Sequence, residues 1–120
     1  MTAISLFRPY ECLTSAVPAP VGEPLGEPIS QVRSVGIPGA GASRHGVWQC
    51  SPGVWRRQIM QAEFCHFLSG EAIFRPDAGE PVHIKGGDTV YFPPRSGGIW
   101  EILSESEKVF IVFEEAEAAR

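Results

Sequence analysis

The chain has 120 residues, of which 43% are apolar and 20% charged, and its net charge is −4. This fits one globular domain and excludes a disordered chain. Arg56-Arg57 is the only adjacent basic pair and Val109 to Phe113 the longest apolar run. A nucleic-acid-binding face and a bilayer-spanning helix are therefore not expected.

Glycine and proline are abundant, at 13 and 11 residues, and this predicts a turn-rich, all-β fold. Residues 1–14 carry Arg8, Pro9 and Glu11 without a long apolar stretch, so no secretory signal is expected. Cys12, Cys50 and Cys65 form an odd set without framework spacing. Free thiols in a reducing, cytoplasmic compartment are the expectation.

Residues 1–28 are rich in X-Pro steps, including Val17-Pro18-Ala19-Pro20, Glu23-Pro24 and Glu27-Pro28. Proline holds its predecessor extended, which predicts an arm and not a helix. Residues 29–37 read as an edge strand, followed by a glycine-rich loop over 36–41. From residue 46 short strands alternate with turn signals: 46–50, 54–59, 63–68 ending at Ser69-Gly70, 72–75, 81–84, 89–92 ending at Pro93-Pro94, 99–103 and 108–113. Such spacing predicts a sandwich or barrel. The expected organisation is an arm and edge strand over 1–45, a barrel over 46–114 and a tail over 115–120, helical only as a frayed last turn.

Two spacings inside the barrel carry a family resemblance. Glu63 is followed seven residues later by Gly70, and Gly87 six residues later by Pro93. With Gly46-Val47-Trp48-Gln49-Cys50 and Trp100-Glu101, these segments resemble the two motifs of the small single-domain cupins, in particular those related to the ureidoglycine aminohydrolase cupin domain. The resemblance covers roughly residues 46–113. It implies a cupin-type double-stranded β-helix, a jelly-roll barrel, with the extended arm outside it, and it implies a homodimer.

The same resemblance implies a metal held by histidines and one glutamate. Here Ile59 stands four residues before Glu63, where the first motif carries a histidine. The histidine of the second motif falls near Gly98, and Arg95 stands at that motif's glycine. Only Glu63 of the usual ligand set is present, so no metal and no other cofactor is expected. His45 precedes the first barrel strand, His66 lies at an odd offset from Glu63, and His83 sits in a remote hairpin. A thiolate site from Cys50, Cys65 and Glu63 is the other conceivable metal site, against two buried structural thiols.

If Glu63 points inward, strand alternation puts Cys65 and Phe67 on its face and Phe64, His66 and Leu68 on the other. Unpaired in an apolar barrel, the Glu63 carboxyl would be raised and suited to acid–base work; paired with Arg57, it would be structural. Arg57 shares a face with Trp55 and is a candidate carboxylate clamp, against a solvated outer-face arginine. Trp48, Trp55, Tyr91 and Trp100 are candidate pocket walls, with Cys50 and Cys65 beside them.

The expected function is binding of a small polar molecule in the barrel, an acid, a ureide or a sugar derivative, without the usual metal. Two alternatives stay open: a metal-dependent enzyme of the ureidoglycine aminohydrolase type, and a dimeric structural or regulatory module. Whether any reaction is catalysed is open at this point. Neither a nucleic acid nor a membrane is expected as a partner.

Overall fold

A computed structural model describes residues 4–39, 41 and 43–114. The chain order is α1 (Pro9–Leu13), β1 (Ala19–Pro20), β2 (Gln31–Ile37), β3 (Arg44–Cys50), β4 (Gly53–Arg57), β5 (Glu63–Pro76), β6 (Val82–Lys85), β7 (Thr89–Phe92) and β8 (Gly98–Val112). Every strand pairing is antiparallel.

Two long strands organise the barrel. β5 and β8 pair from Glu63↔Val112 to Pro76↔Gly98, with register shifts between Phe67 and Ala72. Near one end they carry β1, β2, β3 and β7; near the other they carry β4 and β6. The two strands thus belong to both halves of the barrel. Each was expected as two separate strands. The stop signal Ser69-Gly70 is instead a bulge: Gly70 has φ of 95°, and a side chain there would meet the Ser106 hydroxyl at 2.3 Å. The extra residue bends β5 without ending it.

The arm departs from expectation in one place. Pro9 stands at the start of α1, where its missing N–H costs nothing, and Leu13 is buried. Beyond α1 the arm is extended and lies on its own barrel. β1 pairs with β2, and Leu25 and Arg56 donate backbone hydrogen bonds to Val54 and Glu23 along β4. The edges of β2 and β4 are covered in this way. The predicted helical tail lies, beyond Glu114, outside the described residues.

Alternation sorts the side chains as β geometry requires. On β5, Glu63, Cys65 and Phe67 are buried, whereas Phe64 is exposed. Trp48, Phe67, Phe74, Phe92 and Trp100 fill the interior, and Trp100 lies 5.0–6.2 Å, centroid to centroid, from the other four rings. These are edge-on and tilted contacts that favour aromatic packing. No helix among the described residues is long and apolar enough to cross a membrane.

Candidate functional site

Three charges meet inside the barrel. Glu63 is 1% exposed, Arg57 3% and Lys108 3%. Glu63 opens β5, Arg57 closes β4, and Lys108 lies on β8 in phase with Phe110 and Val112. Arg57 Nη2 donates to Glu63 Oε1 at 2.8 Å, and Lys108 Nζ lies 2.9 Å from Glu63 Oε2. Each carboxylate oxygen therefore has its own cation.

Arg57 is buried and so is not an outer-face arginine. Its Nη1 donates to the carbonyls of Ile59 and Ser96 at 3.0 and 3.2 Å. Its guanidinium lies 4.1 Å from the centre of the Phe92 ring, a cation–π geometry. Arg57 ties the end of β4 and the 93–97 turn to Glu63.

Of the two expectations for Glu63, the ion pair is the one formed. Burial by itself pushes its carboxyl up, but the charge of Lys108 and the hydrogen bond from Arg57 outweigh burial and hold it below the ordinary value. The expected upward shift fails because the two cations sit within hydrogen-bond distance.

Lys108 was not among the sequence-derived candidates. It opens an apolar run and so reads as the solvated start of a strand. The informative signal is its even spacing to Phe110 and Val112. Its ammonium lies 4.4 Å from the Trp48 ring centre and 5.6 Å from those of Phe67 and Trp100. An aromatic cage of this kind is one of the few apolar surroundings that stabilise a buried ammonium.

A cavity of about 100 Å³ opens beside this group, lined by Ser34, Arg44, Trp48, Ile59, Glu63, Lys108, Phe110 and Val112. A second, of about 310 Å³, shares Ser34, Arg44 and Phe110 with it and extends toward Gly36 and His45. Gly36 and Gly46 face each other across β2 and β3. A side chain on Gly46 would meet the Val35 carbonyl at 2.1 Å, whereas one on Gly36 would meet nothing within 4 Å. The second cavity adjoins this open side of Gly36.

The other candidates fall in three groups. Trp48 lines the small cavity, while Trp100 is the centre of the packed aromatic core and Trp55 is half-buried against it. Tyr91 is 57% exposed and pairs with exposed Phe64 on β5; it lines a separate cavity of about 240 Å³ with Phe74, Ile84 and Phe92, away from Glu63. Cys50 and Cys65 are buried thiols, each raised to about 11, chiefly by burial. They are poor thiolate ligands in this setting.

The histidines are dispersed. His45 lies within β3, which starts earlier than expected. His66 Nδ1 lies 2.9 Å from the Thr89 hydroxyl, and His83 Nε2 lies 2.6 Å from Glu71 Oε2. No cluster of three histidine, cysteine or acidic side chains occurs among the described residues. The metal implied by the family likeness does not fit these residues. Both Glu63 oxygens are taken by cations, and an ammonium stands where a divalent ion would need neutral or anionic donors.

Solved structures share the fold. A Rhizobium leguminosarum protein of unknown function superposes with a TM-score of 0.73 at 12% identity, covering 95% of this chain and 100% of that one. The Clostridium difficile EutQ protein gives 0.65 at 12% identity over 79% of each chain. A cupin superfamily protein from Desulfitobacterium hafniense gives 0.61 at 13% identity, over 71% of this chain and 79% of that one. At these identities the likeness is one of fold. No curated protein matches the chain. The family model of the EutQ-like cupin domain matches residues 39–110, which include Glu63, Lys108, all of β5 and β8 as far as Phe110. The family matched is thus described by EutQ rather than by ureidoglycine aminohydrolase, and the chain belongs to the EutQ-like cupin domain family.

Proposed function

We propose that this cupin binds a small polar molecule at the mouth of its barrel without a resident metal. The observation that carries the reading is the buried Arg57–Glu63–Lys108 group beside an open cavity. Well-packed apolar residues are often at least as stabilising as a buried ion group, so stability alone does not account for these charges. Aromatic rings fill the middle of the barrel, and the cavity beside the charged group is the one that joins polar side chains to open space.

The test is elemental analysis of the purified, untagged protein, followed by a screen of small acids, ureides and sugar derivatives. The expected result is metal well below one equivalent, even after incubation with manganese, iron, nickel or zinc, together with at least one ligand that raises Tm. Near-stoichiometric metal overturns the reading in favour of a metal-dependent enzyme.

The reading includes a homodimer. Ile4 is 100% exposed and Leu6 and Phe7 are also open to solvent, and apolar side chains in this position suit a contact with a second copy. Light scattering at the mass of one chain overturns that part. Three free thiols suit a reducing compartment.

A further inference from the structure

We infer that the ligand of the barrel mouth is a small organic carboxylate, held by Lys108 and Arg44 and not by Arg57. The inference rests on the small-molecule reading above and narrows it to one chemical class.

Donor accounting excludes Arg57 and selects Lys108. Both terminal nitrogens of Arg57 are committed, to Glu63 and to two backbone carbonyls. That uses three of its five N–H donors; Nε is buried, and Arg57 lines neither cavity described above. An ammonium has three N–H donors. Lys108 gives one to Glu63 Oε2 and presents its charge to the Trp48 ring. At least one donor is left without a partner among the described residues, on a side chain that lines the small cavity. A buried donor of this kind calls for an acceptor.

Arg44 supplies the second cation. It stands in the row Arg44↔Val112↔Glu63 at the start of β3. It lines both cavities and has no ion-pair partner among the described residues. Arg44, Arg57 and Lys108 oppose one carboxylate, Glu63, so the mouth carries an excess of two positive charges. A monoanion reduces that excess, whereas a neutral molecule leaves it and a cation raises it.

Size narrows the class further. A space of about 100 Å³ holds about three waters, which suits a carboxylate head. The rest of the molecule has the adjoining space beside Ser34, Gly36 and His45.

The experiment titrates the full chain with glycolate, acetate and inorganic phosphate, and with neutral glycolamide and acetamide, following tryptophan fluorescence and backbone amide NMR shifts. Glycolate or acetate is expected to shift the amides of Ser34, Arg44 and Lys108 with saturation, and the two amides to bind at least tenfold more weakly. Arg44→Gln, an exposed change that should spare the fold, is expected to weaken carboxylate binding at least tenfold. Gly36→Leu, which would fill open space, should abolish it. Lys108→Met should abolish it too, with circular dichroism verifying that the variant is folded.

Equal binding of acids and amides overturns the carboxylate inference and leaves the small-molecule reading standing. Binding of phosphate with neither carboxylate overturns it as well. Carboxylate binding unchanged in Arg44→Gln, or without saturation, shows adventitious association and overturns it. Failure of all five probes overturns it, and failure of the wider ligand screen as well would remove the small-molecule reading with it.

Discussion

Lys108 Nζ and Glu63 Oε2 lie 2.9 Å apart across the paired strands β5 and β8, each side chain almost completely buried. Glu63 also holds Arg57, so the three side chains do not depend on one another equally. Removing the Glu63 charge orphans two cations. Removing Lys108 leaves a matched pair.

That asymmetry predicts an order of stabilities. Glu63→Gln should destabilise the fold by about 3–5 kcal/mol, the usual cost of an uncompensated buried charge. Lys108→Met, placed among Trp48, Phe67 and Trp100, should cost less than half as much. Denaturant unfolding followed by circular dichroism measures both, and the reverse order would show that Glu63 is not the shared partner.

Acid should act through the same carboxyl. The native group lies below its ordinary value of 4.5 because Lys108 and Arg57 outweigh burial. On acidification the unfolded chain takes up this proton before the native one does. The contribution is complete above about pH 4.5 and is lost as the pH falls through the native value. Urea midpoints measured from pH 6 to pH 3 should fall below about pH 4.5, with a smaller drop in Glu63→Gln. Asp77, lowered by its hydrogen bond from Arg56, acts in the same direction, and Asp77→Asn separates the two contributions.

The bulge in β5 gives a third test. Gly70→Ala introduces a methyl group 2.3 Å from the Ser106 hydroxyl and 2.5 Å from the Glu105 carbonyl, at φ of 95°. The expected loss is at least about 2 kcal/mol, since strain and overlap add. Thermal unfolding reads it. A neutral outcome would mean that β5 ends here and does not bend.

Thiol chemistry should separate the cysteines. Cys50 and Cys65 are buried and raised to about 11, whereas Cys12 is half-buried. A disulfide reagent at pH 8 should label one thiol per native chain, at Cys12, and all three in denaturant. Rapid native labelling at Cys50 or Cys65 would show that the barrel opens far more readily than its packing implies.

Much of the barrel was legible because turns and alternation are local. The parity that buries Glu63, Cys65 and Phe67 and exposes Phe64 follows from strand geometry alone. What was not legible depends on partners distant in sequence. Ser69-Gly70 reads as a stop until β8 is seen to run beside it. Lys108 reads as a strand end until Glu63 and Trp48 are placed around it. Arg57 looks the same from the sequence whether it faces a ligand or Ile59, Ser96 and Glu63. Arg95 adopts φ of 60°, a left-handed backbone that side chains other than glycine seldom take.

The continuous pairing of β5 with β8 also bears on how the protein folds. The two strands form one long hairpin, nearest in sequence at Pro76↔Gly98 and farthest at Glu63↔Val112. The short β6 and β7 lie inside its loop. Loop-closure entropy favours closing the near end first, and zipping would then run toward the charges. Glu63 and Lys108 would stay hydrated until the last steps, so their desolvation would fall after the rate-limiting barrier. Variants near Gly98 should therefore slow refolding, whereas Lys108→Met should mainly speed unfolding.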